Sequence, residues 1–265
     1  MKLDLHTHSK YSDDSFVEPA DIVRLARERG MDGVAVTDHL SLRGGLEARS
    51  ANRDPVFLVI PGIEYPTDVG HVVGLFVETE PSVIPSREGP PGSPIYFAKE
   101  VVSAIHAAGG VAVLAHPFES RIRLPEGMFA AIGLDALEGF NGRAGSVRNP
   151  QANFQALEYA RANGIPVIGG SDAHFQWEVA RAGCAFEGIP PGASPDAVRR
   201  AILRGEAVPF GIPAPRTTIP MTSLSKIRKS RRFEKVPRAL LRLALTALGP
   251  TGLWLENLAR GPLEE

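Results

Sequence analysis

His6 and His8, with Ser12, Asp13 and Asp14 close behind, have the types and spacing of a metal site. Leu3 and Leu5 alternate with Asp4 and His6 in the period of a strand, so His6 and His8 project from one face. Two imidazoles so placed can hold one divalent ion, and the nearby carboxylates supply harder oxygen ligands. The pair alone also fits a structural contact at a strand end. The other histidines tip the balance: His39, His71, His116 and His174 stand at or beside the ends of apolar runs. Glu64 and Asp172 close two further runs, whereas His106 falls inside a helical pattern and reads as a helix-surface or packing residue.

The elements that must position these groups alternate. A helix is expected over 18–30, then a strand over Gly33–His39 whose continuous apolar run suits a parallel strand covered on both faces. Further strands are expected at 57–64, 72–76, 110–116, 134–141, 165–174 and 207–212. Ser93-Pro94, Asn149-Pro150 and Ser194-Pro195 read as helix starts, with stops at Gly109, Gly164 and Gly205. Segments 40–56, 78–93 and 118–132 read as loops. Alternating strands and helices predict an α/β fold with a parallel sheet, and polar residues at the C-terminal strand ends favour a barrel. No Gly-x-Gly-x-x-Gly follows the first strand, which argues against a dinucleotide fold.

Composition narrows the function classes. The net charge of −1 gives no overall basic field for nucleic acid. Cys184 is the one cysteine, so an intramolecular disulfide and a cysteine zinc cluster are both excluded. No apolar run reaches the roughly 18 residues of a membrane span and no leader pattern opens the chain, so a cytoplasmic protein is expected.

The pieces His6-Thr7-His8 with Ser12-Asp13-Asp14, Thr37-Asp38-His39, Pro61-Gly62-Ile63-Glu64, Ala115-His116-Pro117 and Gly170-Ser171-Asp172-Ala173-His174 occur in this order. In that order they resemble the polymerase and histidinol phosphatase (PHP) family of metal-dependent phosphoesterases. The resemblance implies a distorted (β/α)7 TIM-like barrel over residues 1–215, followed by an extension over 216–265. It also implies two or three divalent ions (manganese, zinc or iron). His6, His8, Glu64 and Asp172 would hold one, with Glu64 bridging to a second held by His71 and His116. His39, His174 and either Asp13 or Asp14 would hold the third. Glu64, Asp172 and His174 would form the catalytic centre.

The donor types agree with that chemistry, because imidazole and carboxylate together suit zinc, manganese or iron rather than an all-oxygen magnesium site. Water on such an ion ionises near pH 7, so hydroxide is available to attack phosphorus without a side-chain nucleophile. The expected reaction is hydrolysis of a phosphomonoester of a nucleotide or other small metabolite. Exonucleolytic cleavage of short RNA or DNA, and a histidinol-phosphate phosphatase, are the alternatives. An amidohydrolase barrel shares the His-x-His strand but commonly bridges its metals with a modified Lys, and no Lys lies near Glu64.

Arg143 with Asn141, and Arg181, are candidates to grip the substrate phosphate, since guanidinium matches phosphate bidentately. Asp38 is either an acceptor that sets an imidazole's tautomer or a strand-end cap. The extension carries Lys226, Arg228, Lys229, Arg231, Arg232, Lys235, Arg238 and Arg242 against Glu234, followed by apolar residues from Leu240 to Leu258. It is expected to pack on the barrel or on a second subunit of a homo-oligomer, with a basic arm for nucleic acid or a membrane surface as the alternative. Every proposed ligand precedes Pro220, so the extension is expected to be separable from catalysis.

Overall fold

The computed structural model describes residues 1–83, 85, 87–89, 93–119, 124–125, 127–144 and 149–249. The chain opens with β1 (Lys2–Asp4), α1 (Pro19–Glu28), β2 (Gly33–Val36) and α2 (Arg43–Ala51). A hairpin of β3 (Leu58–Thr67) and β4 (Gly70–Leu75) follows, then a small one of β5 (Arg87–Gly89) and β6 (Ser93–Ile95). Next come α3 (Ala98–Ala107), β7 (Val111–Ala115), α4 (Met128–Ile132), β8 (Ala136–Asn141), α5 (Ala152–Asn163) and β9 (Val167–Gly170). The described chain ends with β10 (Ala182–Phe186), α6 (Pro195–Leu203), β11 (Ala207–Gly211), α7 (Thr218–Ser230), a 3-10 turn (Phe233–Lys235) and α8 (Val236–Ala247).

A 9-stranded sheet in the order β11-β10-β1-β2-β3-β4-β7-β8-β9 curls into a nearly closed barrel. Its seam is bonded beyond the strand ends: Leu5 N–H donates to the Gly169 carbonyl (3.4 Å) and Asp172 N–H to the His6 carbonyl (2.8 Å). The expected α/β barrel is therefore present, with two departures from a seven-stranded parallel repeat. β4 runs antiparallel to both β3 and β7, because only a tight turn separates it from β3 and no crossover helix intervenes. β10 and β11 add an antiparallel pair outside β1.

The barrel interior is filled by Leu3, Leu5, Ile60, Leu75, Val113 and Ile168, with Val198 and Ile202 of α6 packed against them. Full burial of each Leu or Ile contributes roughly 1.5–3 kcal/mol. Ile22, Val23 and Ala26 of α1 cover β2 from outside, and Val101, Val102 and Ile105 of α3 cover β4 and β7.

Local signals missed β10 and also α4, which occupies the end of the segment 118–132 read as a loop, and misplaced two further elements. Segment 40–56 contains α2, whose Gly44-Gly45 pair reads as a breaker but is demanded by contact: a Cβ on Gly44 would sit 1.8 Å from Asp38 Oδ2, and one on Gly45 2.7 Å from Pro61 Cα. Helix α3 begins at Ala98, not at Ser93-Pro94, which lies in β6. Its first N–H donates to Asp68 Oδ1 (2.9 Å), a cap supplied from the β3–β4 turn, where no local pattern reveals it. Of the loops expected at 78–93 and 118–132, residues 84, 86, 90–92, 120–123 and 126 lie outside the described residues, as does the apolar tail from 250 onward.

Candidate metal centre

The stretch after β1 is fixed by Asp4. Its buried carboxylate accepts from Ser171 N (2.9 Å), Ser171 Oγ (2.6 Å) and Ala180 N (2.9 Å), tying the first strand to the segment after β9. Burial, only partly offset by these bonds, pushes the Asp4 carboxyl up to about 6. Held this way, His6 and His8 face Asp172 from across the seam and Glu64 from the middle of β3. Asp172 (φ 53°) and His116 (φ 29°) hold left-handed backbone just past β9 and β7. Such strain persists in side-chain-bearing residues only where packing over-determines it, commonly at functional sites.

Four inward atoms converge. His6 Nε2 and His8 Nε2 are 3.1 Å apart. His8 Nε2 lies 3.2 Å from Glu64 Oε2 and 3.3 Å from Asp172 Oδ1, and His6 Nε2 lies 3.5 and 3.8 Å from the same oxygens. The outward nitrogens fix the tautomers. Ser12 Oγ donates its one proton to Asp38 Oδ1 (2.9 Å), so at 2.9 Å it must accept from His8 Nδ1. His6 Nδ1 likewise meets the buried Glu138 Oε1 at 3.1 Å. With both Nδ1 atoms donating outward, the two Nε2 atoms are the positions left to face each other and two carboxylates.

In the metal-free chain protonated imidazole meets carboxylate here, and a divalent ion that displaced those protons would find the same atoms converging on it. Glu64 Oε2 is buried with no hydrogen-bond partner although His39 Nδ1 (3.1 Å) also crowds it. The donor set thus fits a divalent ion on tautomer, burial and ligand type. Burial lowers the pKa of His6, but Glu138, Asp172 and Glu64 outweigh it and hold the ring well above the ordinary histidine range. Burial opposes ionisation of Glu64, yet His39, His71 and His6 hold it well below the carboxylate range.

Glu64 faces two groups at once. Its Oε1 is 2.8 Å from His71 Nδ1 and 3.3 Å from His116 Nε2, while Oε2 faces His6, His8 and His39. That is the position of a bridge. On the third side, Asp14 Oδ1 lies 3.2 Å from His174 Nε2 and Oδ2 lies 3.6 Å from His39 Nε2. Asp14 is the carboxylate that contacts the cluster; Asp13, half exposed, pairs with Lys226 (2.6 Å) at the cleft edge, with a carboxylate oxygen within 4.8 Å of ligand atoms of Asp14 and His39.

The substrate-gripping candidates separate. Arg143 lines the cleft, with its guanidinium held by Thr222 Oγ1 and Glu178 Oε1 (3.3 Å) and 2.7 Å from His174 Nδ1, which donates to the Asp172 carbonyl (2.8 Å) when Nε2 is the ligand. Burial, joined by the charges of Arg143 and His8, takes His174 down to about 4, so its ring is neutral at pH 7. Asn141 is fully buried. Its amide donates to Glu138 (2.9 Å) and Asp172 (3.3 Å) and its oxygen accepts from Arg143 N, so it supports Asp172 rather than meeting substrate. Arg181 is also displaced from its expected role: its guanidinium donates to the Pro213 carbonyl (3.4 Å) and does not line the cleft. His106 pairs on the surface with Asp135 (2.7 Å), as expected.

Asp38 combines the two readings left open for it. It accepts from Ser9 N and Ser9 Oγ (both 2.6 Å) as a cap, and it reaches His8 only through Ser12. Glu138, Glu178 and Thr222 went unnoticed in the sequence. A carboxylate inside the apolar run of β8 was the one available signal, for Glu138. A further correction concerns α7: Ile219, Thr222, Ser223 and Lys226 roof the same cleft of about 210 Å³ as the metal cluster. The extension is not separate from the site.

Residues 4–114 match the PHP domain and residues 150–207 the PHP-associated domain. An uncharacterized protein of Methanocaldococcus jannaschii is 32% identical over 165 residues, which cover 58% of this chain and 90% of that protein. The chain belongs to the PHP family. A two-domain protein from Bacteroides vulgatus that contains a predicted PHP-like metal-dependent phosphoesterase superposes with a TM-score of 0.60 at 18% identity, over 80% of this PHP chain and 65% of that one. An amidohydrolase from Chromobacterium violaceum with bound sulfate superposes with a TM-score of 0.52 at 20% identity, over 78% and 98%. Those two likenesses establish the shared PHP-like fold. The extension containing α7 and α8 lies outside both family matches. Among the described residues no helix is long and apolar enough to cross a membrane.

Proposed function

We propose that this PHP protein is a metal-dependent phosphoesterase that hydrolyses a phosphomonoester of a nucleotide or other small metabolite. The observation that carries the reading is the convergence of His6 Nε2, His8 Nε2, Glu64 Oε2 and Asp172 Oδ1 at the floor of a cleft walled by Arg143. His6, His8, Glu64 and Asp172 would hold one ion, Glu64 with His71 and His116 a second, and His39, His174 and Asp14 a third. Bound divalent ions supply an acidified water and neutralise charge on the phosphoryl oxygens.

The remaining work belongs to the chain. Arg143, fixed by Glu178 and Thr222, presents a cation at the cleft wall where a phosphoryl oxygen can meet it. Neutral His174, with Asp14 beside Nε2, adds no charge that would repel an ion there. The cleft, of about 210 Å³, has room for a phosphate group against Arg143, which supports a monoester, with the end of a short oligonucleotide as the competing class.

The test is hydrolysis of p-nitrophenyl phosphate and a panel of sugar and nucleoside monophosphates with added manganese or zinc. His8→Ala and Asp172→Ala should each lose metal and about a thousandfold in kcat, equivalent to several kcal/mol of transition-state stabilisation. Elemental analysis and circular dichroism separate metal loss from unfolding. Wild-type turnover at full metal loading in either folded variant would refute the assignment.

A further inference from the structure

Helix α8 reverses the usual arrangement of a surface helix, with its polar side inward and its apolar side outward. Its buried residues are Ala239 and Thr246, and Arg238 and Arg242 line the hollow between it and α7. The opposite side faces solvent and is apolar. At about 100° per residue, Pro237, Leu240, Leu241, Ala244 and Leu248 fall within an arc of about 100°. All five are exposed, Leu240 by 50%, Leu241 by 58% and Leu248 by 62%. Phe233, in the turn that leads into α8, is 60% exposed as well, and Arg231, Arg232 and Lys235 beside it in sequence are also exposed. The helix pair has a firm base. Lys229 Nζ donates to the carbonyls of Lys10 (2.7 Å) and Ser12, and the Arg228 guanidinium lies 5.1 Å from the Phe16 ring centre.

Whatever covers this face must match both halves of its chemistry. Between Lys226 and Arg242 eight cations stand against one acid, Glu234. A second copy of the chain would bring two such cationic segments together. One helix face of five side chains also falls far short of the roughly 20–30 residues a side that a stable protein interface uses. A nucleic acid backbone would meet the cations and leave the leucines in water. An anionic bilayer answers both: Leu and Phe side chains enter the acyl boundary while Arg and Lys stay among the headgroups. At 12 residues α8 is too short to span the bilayer, so it would lie in the plane of the interface.

We propose that the α7–α8 extension is a peripheral membrane anchor, which lays the outer face of α8 on an anionic lipid surface. The proposal goes beyond the phosphoesterase reading and does not depend on it. Because α8 packs on α7, and α7 roofs the metal cleft, docking holds that cleft beside the lipid. The anchor lies outside both family matches, so it is a device of this chain's own C-terminal segment.

The experiment is co-sedimentation of the full chain with vesicles of phosphatidylcholine alone and of phosphatidylcholine mixed with phosphatidylglycerol, at low and at high salt. Binding to the anionic vesicles should be at least tenfold tighter than to the neutral ones and should weaken as salt rises. L240S/L241S should lose at least tenfold in affinity for the anionic vesicles. R231Q/K235Q should lose roughly thirtyfold, as the removal of two surface charges predicts. Because these side chains face solvent, neither variant should change Tm or oligomeric state; L240A/L241A replaces the serine variant if circular dichroism shows that it misfolds. Absence of binding to anionic vesicles overturns the anchor, and so does binding that the folded leucine variant retains in full. Equal affinity for neutral vesicles overturns it too, since the cations would then play no part. A dimer that L240S/L241S splits, without vesicle binding, would assign the face to a second copy. A lower Tm in a monomeric leucine variant, again without vesicle binding, would assign it to another part of the same chain.

Discussion

Which ring nitrogen faces inward decides whether each imidazole can ligate, and for His8 that choice is made by a hydroxyl. Ser12 Oγ is committed as donor to Asp38 and as acceptor to His8 Nδ1 and His39 N (3.0 Å). Ser12→Ala removes the acceptor and frees the ring, so metal affinity should fall about 10–100-fold. Stability should drop by about 1–3 kcal/mol as Asp38 loses a buried partner. Isothermal titration with manganese measures the first and thermal melting the second; unchanged affinity would show that Ser12 does not set the tautomer.

His116 makes metal binding pH-dependent. Burial lowers its pKa, but the contact with Glu64 and the charge of Glu119 outweigh burial and raise it to about 9 from the ordinary 6.5. The folded metal-free ring therefore holds a proton that the unfolded ring has lost. Its stabilising contribution is complete below pH 6.5 and disappears as pH rises through about 9. A metal must displace that proton, so affinity should climb with pH from 7 to 9, by as much as about tenfold per unit. Titrations in buffers of different ionisation enthalpy should register proton release. Affinity that is flat over that range would contradict the assignment of His116.

At the scale of elements, legibility tracked how local each cause is. Helix α6 was readable because Ser194 caps it within its own sequence, accepting from Ala197 N, and Pro195 follows. Helix α3 was misplaced because its cap, Asp68, comes from another hairpin. The basic character of the extension was plain, but that α7 roofs the cleft was not, since Thr222 finds Arg143 only through tertiary packing. A chain ending at Pro215 should therefore melt at lower temperature and also lose catalytic efficiency, because Arg143 forfeits Thr222 and Asp13 forfeits Lys226. Thr222→Val isolates the first loss: one guanidinium N–H without its partner should cost about 1–3 kcal/mol, or roughly 5- to 150-fold in kcat/KM. Unaltered turnover in both would restore the separable extension.

The whole molecule closes on its own active site. His6 and Asp172 lie 166 residues apart in the chain, and the motif order grouped them as ligands without revealing that they flank the barrel seam. That seam needs glycine at 170, where a Cβ would lie 2.3 Å from His6 Cβ and 2.7 Å from His6 N. The clash involves backbone, which cannot turn away as a side-chain tip does. Gly170→Ala should accordingly cost about 1–3 kcal/mol or more and push β9 off the segment carrying His6 and His8. Metal reports this displacement. A tightly held ion at a thousandfold excess over its Kd adds about 4 kcal/mol to stability, so a chelator should lower the wild-type Tm by several degrees. In Gly170→Ala the ligands no longer converge, so the chelator should move Tm far less, although the variant starts lower. An equal chelator shift in the two proteins would mean that the seam can spread without disturbing the ligands, and closure and metal binding would then be independent properties of the fold.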